Sequence, residues 1–400
     1  MSSASSTPPP ADTIAPTKSS RTGLYAVVAI IVIVVIILAA GYAAGWFKAA
    51  SKSGGTKGAC TPPGSVPLLG AGSSFVDPLM VNWESVYTQS SVNYQEPGSG
   101  AGIAQISAKT IDYGASDAPL TAAQAANASG LLTIPETAGA VSIIYNLPGV
   151  NARLQISGPV LAQIYQGSIT AWNDPAITSI NPNITAMPSN AIVVVHRSDG
   201  SGTSYAFTDF LSKSSASWAS GPGKSTLPAW PTGLGEHGSS GVANTVGTTP
   251  YAVGYVDLTY ALNQGISFAQ VQNPAGQYVV PNLRDAALAV AAGDMALPTG
   301  GASWSNVSLI NEPGAGTYPV ATFSYMLVYK DLSGAYGSTY TLQKAENLVD
   351  WLNWTVTYGQ SYSSTNYYVT LPAGVVTADQ QTIDSMTYNG ASISICTLQN

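Results

Sequence analysis

The segment AIVVVHRSDGSGTSYAFTDFL, residues 191–211, contains the pattern on which both the fold and the site depend. Its first five residues, Ala191 to Val195, form a short apolar run that is typical of a buried strand. A turn rich in glycine and serine follows, and after it the apolar residues recur at helical spacing. The segment therefore predicts a strand–turn–helix unit, which is the repeating unit of α/β proteins.

The same order of elements occurs twice more. GAGSSF, residues 70–75, precedes a predicted helix from Pro78 to Tyr87, and GSGAG, residues 98–102, follows the strand-like SVNYQ. A helix N-terminus presents unpaired N–H groups and the positive end of the helix dipole, which favours an anion. One such turn is most often an ordinary helix cap, but three in one chain favour an anion site.

Two charged residues distinguish the third turn. Arg197 precedes it and Asp199 begins it. A guanidinium can bind an oxyanion through two parallel hydrogen bonds, and a neighbouring carboxylate could hold that guanidinium in place. The alternative is a surface ion pair beside a helix cap.

A carboxylate ends another predicted strand. Asp117 lies in DYGASDAPL, residues 112–120. A carboxylate would accept a hydrogen bond from a protonated oxyanion and would repel a fully deprotonated one. A buried polar group left without a partner costs about 1–3 kcal/mol, so this position could discriminate between anions. The alternative is an aspartate that caps a helix near Leu120.

Composition excludes several classes of function. Charged residues make up 8% of the 400 residues, against a usual ~25%, and the net charge is −7. A nucleic-acid binder is not expected, because the chain has no basic patch. An enzyme is not expected either, since the chain lacks a G-x-S-x-G elbow and a His/Asp cluster that could bind a metal. Apolar and aromatic residues throughout the body argue against disorder there.

The N-terminal part predicts a membrane anchor. Residues 1–21 are rich in Ser, Pro and Thr and are expected to form a disordered cytoplasmic tail. Residues 22–47 carry no charge and exceed the ~20 apolar residues that a spanning helix needs. Residues 48–67 are predicted to be a flexible linker. The alternative is a signal peptide that is cleaved near Ala49 or Ala50.

The folded body is expected outside the membrane, although the positive-inside rule does not settle the orientation. Four N-x-S/T sequons favour an exterior body, although several would occur by chance in so Ser/Thr-rich a chain. The two cysteines, Cys60 and Cys396, bracket the body and could form a disulfide that ties its ends together. Two free thiols are the alternative.

Four segments together resemble the high-affinity phosphate-binding proteins of ABC phosphate importers. They are GAGSSFVDP (70–78), YQEPGSGAG (94–102), YGASDAPL (113–120) and HRSDGSGTSYAFTDFL (196–211). Weaker similarities extend the resemblance to about Val376. It implies an α/β, two-lobe periplasmic-binding-protein-like fold of type II with a hinge, preceded here by the transmembrane helix. Lobe one would be residues 68–139 plus 320–400, and lobe two residues 140–319.

The resemblance also implies the ligand contacts. Asp199 would orient Arg197, and Phe75 would contribute its backbone N–H. Ser74 stands where the family commonly has threonine, and His196 where a second arginine often lies. The implied phosphate-binding residues are Ser74, Phe75, Ser99 and Asp117 in lobe one, and Arg197, Ser201, Gly202 and Thr203 in lobe two.

The implied activity is capture of inorganic phosphate without chemistry. A monomer would deliver the ligand to the permease and ATPase subunits of an ABC importer, with no cofactor and no metal. Two other classes stay open at this point. One is a binding protein for another tetrahedral oxyanion, such as sulfate or molybdate, and the other is a surface sensor or adhesin that does not transport.

Overall fold

A computed structural model describes residues 66–293 and 297–393. The predicted tail, the predicted transmembrane span, almost all of the linker and both cysteines lie outside the described residues. Within the described ranges, no helix is both long enough and apolar enough to cross a membrane. The expectations about the anchor and the disulfide therefore remain predictions.

Strands and helices alternate along the described chain, as the α/β prediction requires. The strands are β1 (Leu68–Gly72), β2 (Val92–Gln95), β3 (Tyr113–Ser116), β4 (Leu131–Tyr145), β5 (Gln155–Ile156), β6 (Val193–Arg197), β7 (Leu234–Glu236), β8 (Ala252–Asp257), β9 (Ser267–Phe268), β10 (Gln270–Gln272), β11 (Tyr278–Val279), β12 (Ala321–Tyr329), β13 (Thr387–Tyr388) and β14 (Ala391–Ser392). The α-helices are α1 (Asp77–Val86), α2 (Ser99–Ser107), α3 (Ala122–Asn127), α4 (Gly158–Tyr165), α5 (Pro175–Thr178), α6 (Gly202–Ser214), α7 (Ala216–Ser220), α8 (Gly238–Thr248), α9 (Leu258–Asn263), α10 (Leu283–Ala292), α11 (Leu332–Tyr336), α12 (Leu342–Val356) and α13 (Ala373–Asp384).

The main sheet consists of two parallel groups of strands joined through two central strands. Its order is β2-β1-β3-β12-β4-β8-β6-β7, and β9 pairs with β4 beside this path. Strand β1 runs parallel to β2 and β3, and β6 runs parallel to β7 and β8. Between the two groups, β12 and β4 run antiparallel to each other. Each parallel group is thus the centre of one α/β half of the molecule.

Strand β4 takes part in both halves. Residues 131–140 pair with β12, and residues 141–145 pair with β8. Pro135 and Glu136 interrupt the apolar pattern of this long strand. In a sheet, proline is tolerated at a bulge, and the register of β4 against β12 does shift at this point.

The described N-terminal and C-terminal segments share one core. The helix predicted from Pro78 to Tyr87 is present as α1, and Met80, Trp83 and Tyr87 are buried on it or directly after it. The Trp83 ring packs edge-to-face against Trp351 of α12, with 6.3 Å between the ring centroids. Such aromatic pairs add about 0.5–1.5 kcal/mol beyond the area they bury. Helices from opposite ends of the chain therefore support the same half of the sheet.

Candidate functional site

The site lies where the carboxyl ends of the two parallel groups of strands meet. The turns after β1, β2 and β3 face the turns after β6 and β7, and ligands of open α/β sheets bind at such strand ends. The two sides are in direct contact, because the Gly100 N–H donates to the Gly200 carbonyl at 2.7 Å. Of the nine residues that the sequence assigned to the site, Arg197 ends β6, and the other eight belong to these turns or to the first turns of the helices that follow.

Arg197 is the positively charged centre of the site. It ends β6 and is only 2% exposed. Its Nε donates to Asp199 Oδ1 at 2.7 Å, Nη2 donates to the other oxygen of that carboxylate, and Nη1 donates to Ser239 Oγ at 3.3 Å. Asp199 Oδ1 also accepts the Gly238 N–H at 3.1 Å. The guanidinium is thereby fixed, as the predicted role of Asp199 requires.

The hydrogen bonds from Arg197 and Gly238 also stabilise the ionised form of Asp199. Burial alone would raise the pKa of this carboxyl, but hydrogen bonds from Arg197 and the charge of that guanidinium lower the pKa below its usual value. Asp199 therefore stays ionised beside the guanidinium. A buried ion pair of this kind needs its remaining polar atoms satisfied by further hydrogen bonds, which Gly238 and Ser239 supply.

The turn after β6 leads directly into α6, which already begins at Gly202, within the Gly/Ser segment. Ser201 is the N-cap, and its Oγ accepts the Ser204 N–H at 3.0 Å. The Gly202 N–H donates to Ser99 Oγ on the opposite side of the cleft at 3.0 Å. Thr203 Oγ1 is buried without a hydrogen-bond partner. Of these residues, Thr203 has a hydroxyl that is free for a ligand, whereas the hydroxyl of Ser201 serves as a helix cap.

The turn after β1 contacts the opposite side through Ser74. Its Oγ accepts the Ser239 N–H at 3.0 Å and lies 3.1 Å from Ser239 Oγ. The neighbouring Phe75 N–H, predicted as a ligand contact, donates to Ser73 Oγ at 3.0 Å. Ser73 in turn donates from that Oγ to Asp117 Oδ2 at 2.7 Å. A short chain of hydrogen bonds thus connects this turn to the carboxyl of Asp117.

Asp117 faces α6 across the cleft. It is 1% exposed, and its Oδ1 has no hydrogen-bond partner. Burial raises its pKa to about 6, against the hydrogen bond from Ser73 and the charge of Arg197. A Cβ at Gly202 would lie 2.6 Å from the Asp117 backbone N, so only glycine allows this approach. The carboxyl is therefore held at the contact between the two halves with one oxygen unengaged.

Two unsatisfied polar atoms from opposite sides indicate a missing polar partner. Thr203 Oγ1 and Asp117 Oδ1 are both buried and unpaired, whereas roughly 90% or more of buried polar groups in proteins have a partner. A small polar ligand that accepts from the threonine and donates to the aspartate would satisfy both atoms. Within residues 66–293 and 297–393, no group of three or more His, Cys, Asp and Glu side chains is placed to hold a metal ion.

Ser239 is a residue of the site that the sequence reasoning did not identify. It lies in the first turn of α8, is fully buried, and contacts both Ser74 and Arg197. The sequence around it, EHGSSGV, is a fourth Gly/Ser turn that opens a helix. The same criterion that selected the other three turns would have found it.

Replacing Asp117 with Asn should stabilise the ligand-free fold at neutral pH. Because the folded pKa of about 6 lies above the unfolded value of 3.8, the folded wild type loses stability as pH rises from about 4 to 6. Above that range Asp117→Asn should be more stable by about 1–3 kcal/mol, and the difference should vanish near pH 4. Denaturant unfolding of the dialysed proteins across this pH range measures it. A difference that does not change with pH would contradict the assignment.

Comparison with known proteins places these features in a family. The family model described as a PBP superfamily domain matches residues 48–357. The phosphate-binding protein PstS of Xylella fastidiosa is 39% identical over 330 residues, which cover 79% of this chain and 86% of that relative. The PstS protein of Methanocaldococcus jannaschii is 33% identical over 315 residues, covering 74% and 80%.

Solved structures show the same fold. A high-affinity periplasmic phosphate-binding protein bound with phosphate is similar with a TM-score of 0.63 at 21% identity, covering 79% of this chain and 93% of that chain. A phosphate-binding protein from Stenotrophomonas maltophilia gives a TM-score of 0.60 at 20% identity, covering 79% and 94%. The predicted two-lobe periplasmic-binding-protein fold is confirmed. The chain belongs to the PBP superfamily and, within it, to the family of PstS phosphate-binding proteins.

Proposed function

We propose that the cleft binds one inorganic phosphate ion. The observation that carries the proposal is the buried Asp117 Oδ1, which lacks a donor in a site that otherwise contains donors. Phosphate near neutral pH both accepts hydrogen bonds and carries a proton to donate. Arg197, Ser74, Ser99 and Thr203 offer donors for its oxygens, and Asp117 offers the acceptor for its proton. The names of the relatives point to the same ligand.

Binding would couple to closure of the two halves. Ser99 Oγ now accepts the Gly202 N–H, and Ser74 Oγ accepts the Ser239 N–H, both across the cleft. A phosphate between them would receive hydrogen bonds from both sides at once. A ligand that contacts both halves only in the closed form shifts the population toward that form. The lobe boundaries proposed from the sequence, 68–139 plus 320–400 and 140–319, place these partners in different lobes.

A binding role fits this chemistry better than a hydrolytic one. The Ser201 hydroxyl, which a serine hydrolase would need as a nucleophile, accepts the Ser204 N–H as a helix cap. The ring of His196, one of two histidines in the chain, stacks on Trp230 with 4.8 Å between centroids, and its Nδ1 lies 3.0 Å from the Arg197 carbonyl. Burial lowers the pKa of His196, which leaves the ring neutral in this packing.

The body would act outside the membrane as the capture subunit of an ABC phosphate importer. Residues 22–47 would hold it beside the permease, where a tether raises its local concentration. Three of the four sequon asparagines, Asn127, Asn183 and Asn306, are exposed, whereas Asn353 is buried in α12. Accessible sequons agree with an exterior body. A sensor or adhesin with the same site would bind phosphate but would need no permease.

Arg197→Ala should weaken phosphate binding by about a hundredfold or more, because a charge-assisted hydrogen bond contributes up to about 3 kcal/mol. Calorimetric titration of the detergent-solubilised full chain measures it. Arg153→Ala, which removes the same charge from an exposed site, is the matched control. A folded wild type that does not bind phosphate would overturn the proposed function.

Asp117→Asn should reduce the preference for phosphate over sulfate by about tenfold or more. The carboxylate accepts the proton of hydrogen phosphate, whereas sulfate carries no proton near neutral pH and is repelled; a tenfold change corresponds to 1.4 kcal/mol. Competition titrations with both anions give the ratio. If the ratio of phosphate to sulfate affinity is unchanged, a binding protein for tetrahedral oxyanions in general would be favoured.

The full chain should sediment with membranes and resist extraction by alkaline carbonate. A variant that lacks residues 1–47 should be released into the soluble fraction, since the chain would then lack its predicted span. Mass spectrometry of the membrane-bound protein tests cleavage directly. A mature N-terminus near Ala49 or Ala50 would replace the anchor with a cleaved signal peptide.

A further inference from the structure

Glu136 occupies an unusual position on the central strand β4. It is the extra residue of a bulge, since Tyr325 pairs with Pro135 and Ser324 pairs with Thr137. Bulges commonly redirect a side chain next to a functional site. Glu136 is 0% exposed, and its Oε1 accepts the Ser324 hydroxyl at 2.8 Å. The bulge therefore holds a carboxyl group inside the protein, against β12.

Ser324 links this carboxyl to the site. Strand β12 lies between β4 and β3, with Tyr325 opposite Ser116, and Asp117 directly follows β3. The single hydroxyl proton of Ser324 is donated to Glu136, and the charge of Asp117 raises the pKa of Glu136, so the two carboxyls interact across β12. Asp117 and Glu136 thus flank one serine from the two neighbouring strands.

The surroundings of Glu136 favour its neutral form. Burial, together with the smaller effect of the charge of Asp117, raises its pKa to about 8, against the hydrogen bond from Ser324. Its second oxygen, Oε2, is buried without a partner. The other titratable groups that it faces are Tyr94 of β2 and Tyr113 of β3, whose pKa values are raised by burial and further by Glu136. Near neutral pH the carboxyl therefore retains its proton.

We propose that Glu136 is a positioning residue for the phosphate site, and that it must carry its proton for Asp117 to bind phosphate at full affinity. When Glu136 is neutral, Asp117 alone carries negative charge beside the ligand. When Glu136 ionises, a second negative charge lies on the far side of Ser324, which favours protonation of Asp117 and repels a phosphate dianion. The inference rests on the proposed function.

Affinity should therefore fall as pH rises through the pKa of Glu136, beyond the change caused by ionisation of phosphate itself. Binding and proton uptake are reciprocal, so an ion that weakens when Glu136 ionises must raise the pKa of Glu136 when bound. If that rise is about one unit, the dissociation constant of the wild type should increase about fivefold to tenfold by pH 9.5, relative to a variant that cannot ionise there.

Glu136→Gln provides that variant, because the amide resembles the protonated acid in shape and charge. Calorimetry on the full chain from about pH 6.5 to 9.5 should give equal affinities at the lower end and a wild-type affinity about fivefold to tenfold weaker at the upper end. Glu346→Gln, on a partly exposed residue of α12, should follow the wild type. A ratio between wild type and Glu136→Gln that is constant with pH would overturn the inference. Absence of phosphate binding by the wild type would instead overturn the proposed function.

A measurement on the wild type covers the case in which Glu136→Gln fails to fold. The chain has six glutamates, so carboxyl ¹³C signals of glutamate-labelled protein can be followed by NMR. One buried carboxyl should titrate near pH 8 without ligand and about one unit higher with phosphate. If no glutamate titrates above about pH 7, or if phosphate leaves the titration unchanged, the inference is wrong.

Discussion

The ion pair between Arg197 and Asp199 determines how this cleft can hold an anion. A guanidinium that is only 2% exposed needs a partner, and the partner is supplied two residues later in the same turn. The pair is neutral as a unit and creates no broad positive field. In the proposed site, an anion would therefore be held by Nη1 of Arg197, which now donates to Ser239, and by neutral donors of the surrounding turns. This explains why the site is assembled from glycine and serine at strand ends instead of from a cluster of lysine and arginine.

The shortage of positive charge also bears on the buried acidic residues in the cleft and next to it. Asp117, Glu136 and Asp257 are all buried, and burial raises the pKa of each. Asp257 caps α9 through the Tyr260 N–H and leaves its other oxygen unpaired. A site with one paired cation cannot neutralise three carboxylates as well. Burial therefore limits the negative charge of this region, because it favours the protonated form of these carboxyls.

Much of the site could be predicted from sequence because its residues follow short strands in Gly/Ser turns, a local pattern. The nine assigned residues all lie at the contact between the two halves. What the pattern did not reveal depends on distant segments. Glu136 comes next to the site only because β12 pairs with both β3 and β4. Strand pairing between distant segments leaves no mark in a single sequence.

The central strands β4 and β12 connect the two halves of the molecule and also hold the buried carboxyl of Glu136. Strand β4 pairs with β12 in one half and with β8 in the other, so a change of angle between the halves must be accommodated along it. The bulge at Glu136 lies in the part that pairs with β12, and Ser324 of β12 holds the carboxyl there. The surroundings of Glu136 therefore depend both on the ionisation of Asp117 and on the arrangement of β4 and β12. Because a buried polar network tolerates few arrangements, the proposed closure of the cleft would be linked to the protonation of its carboxyls through the same two strands.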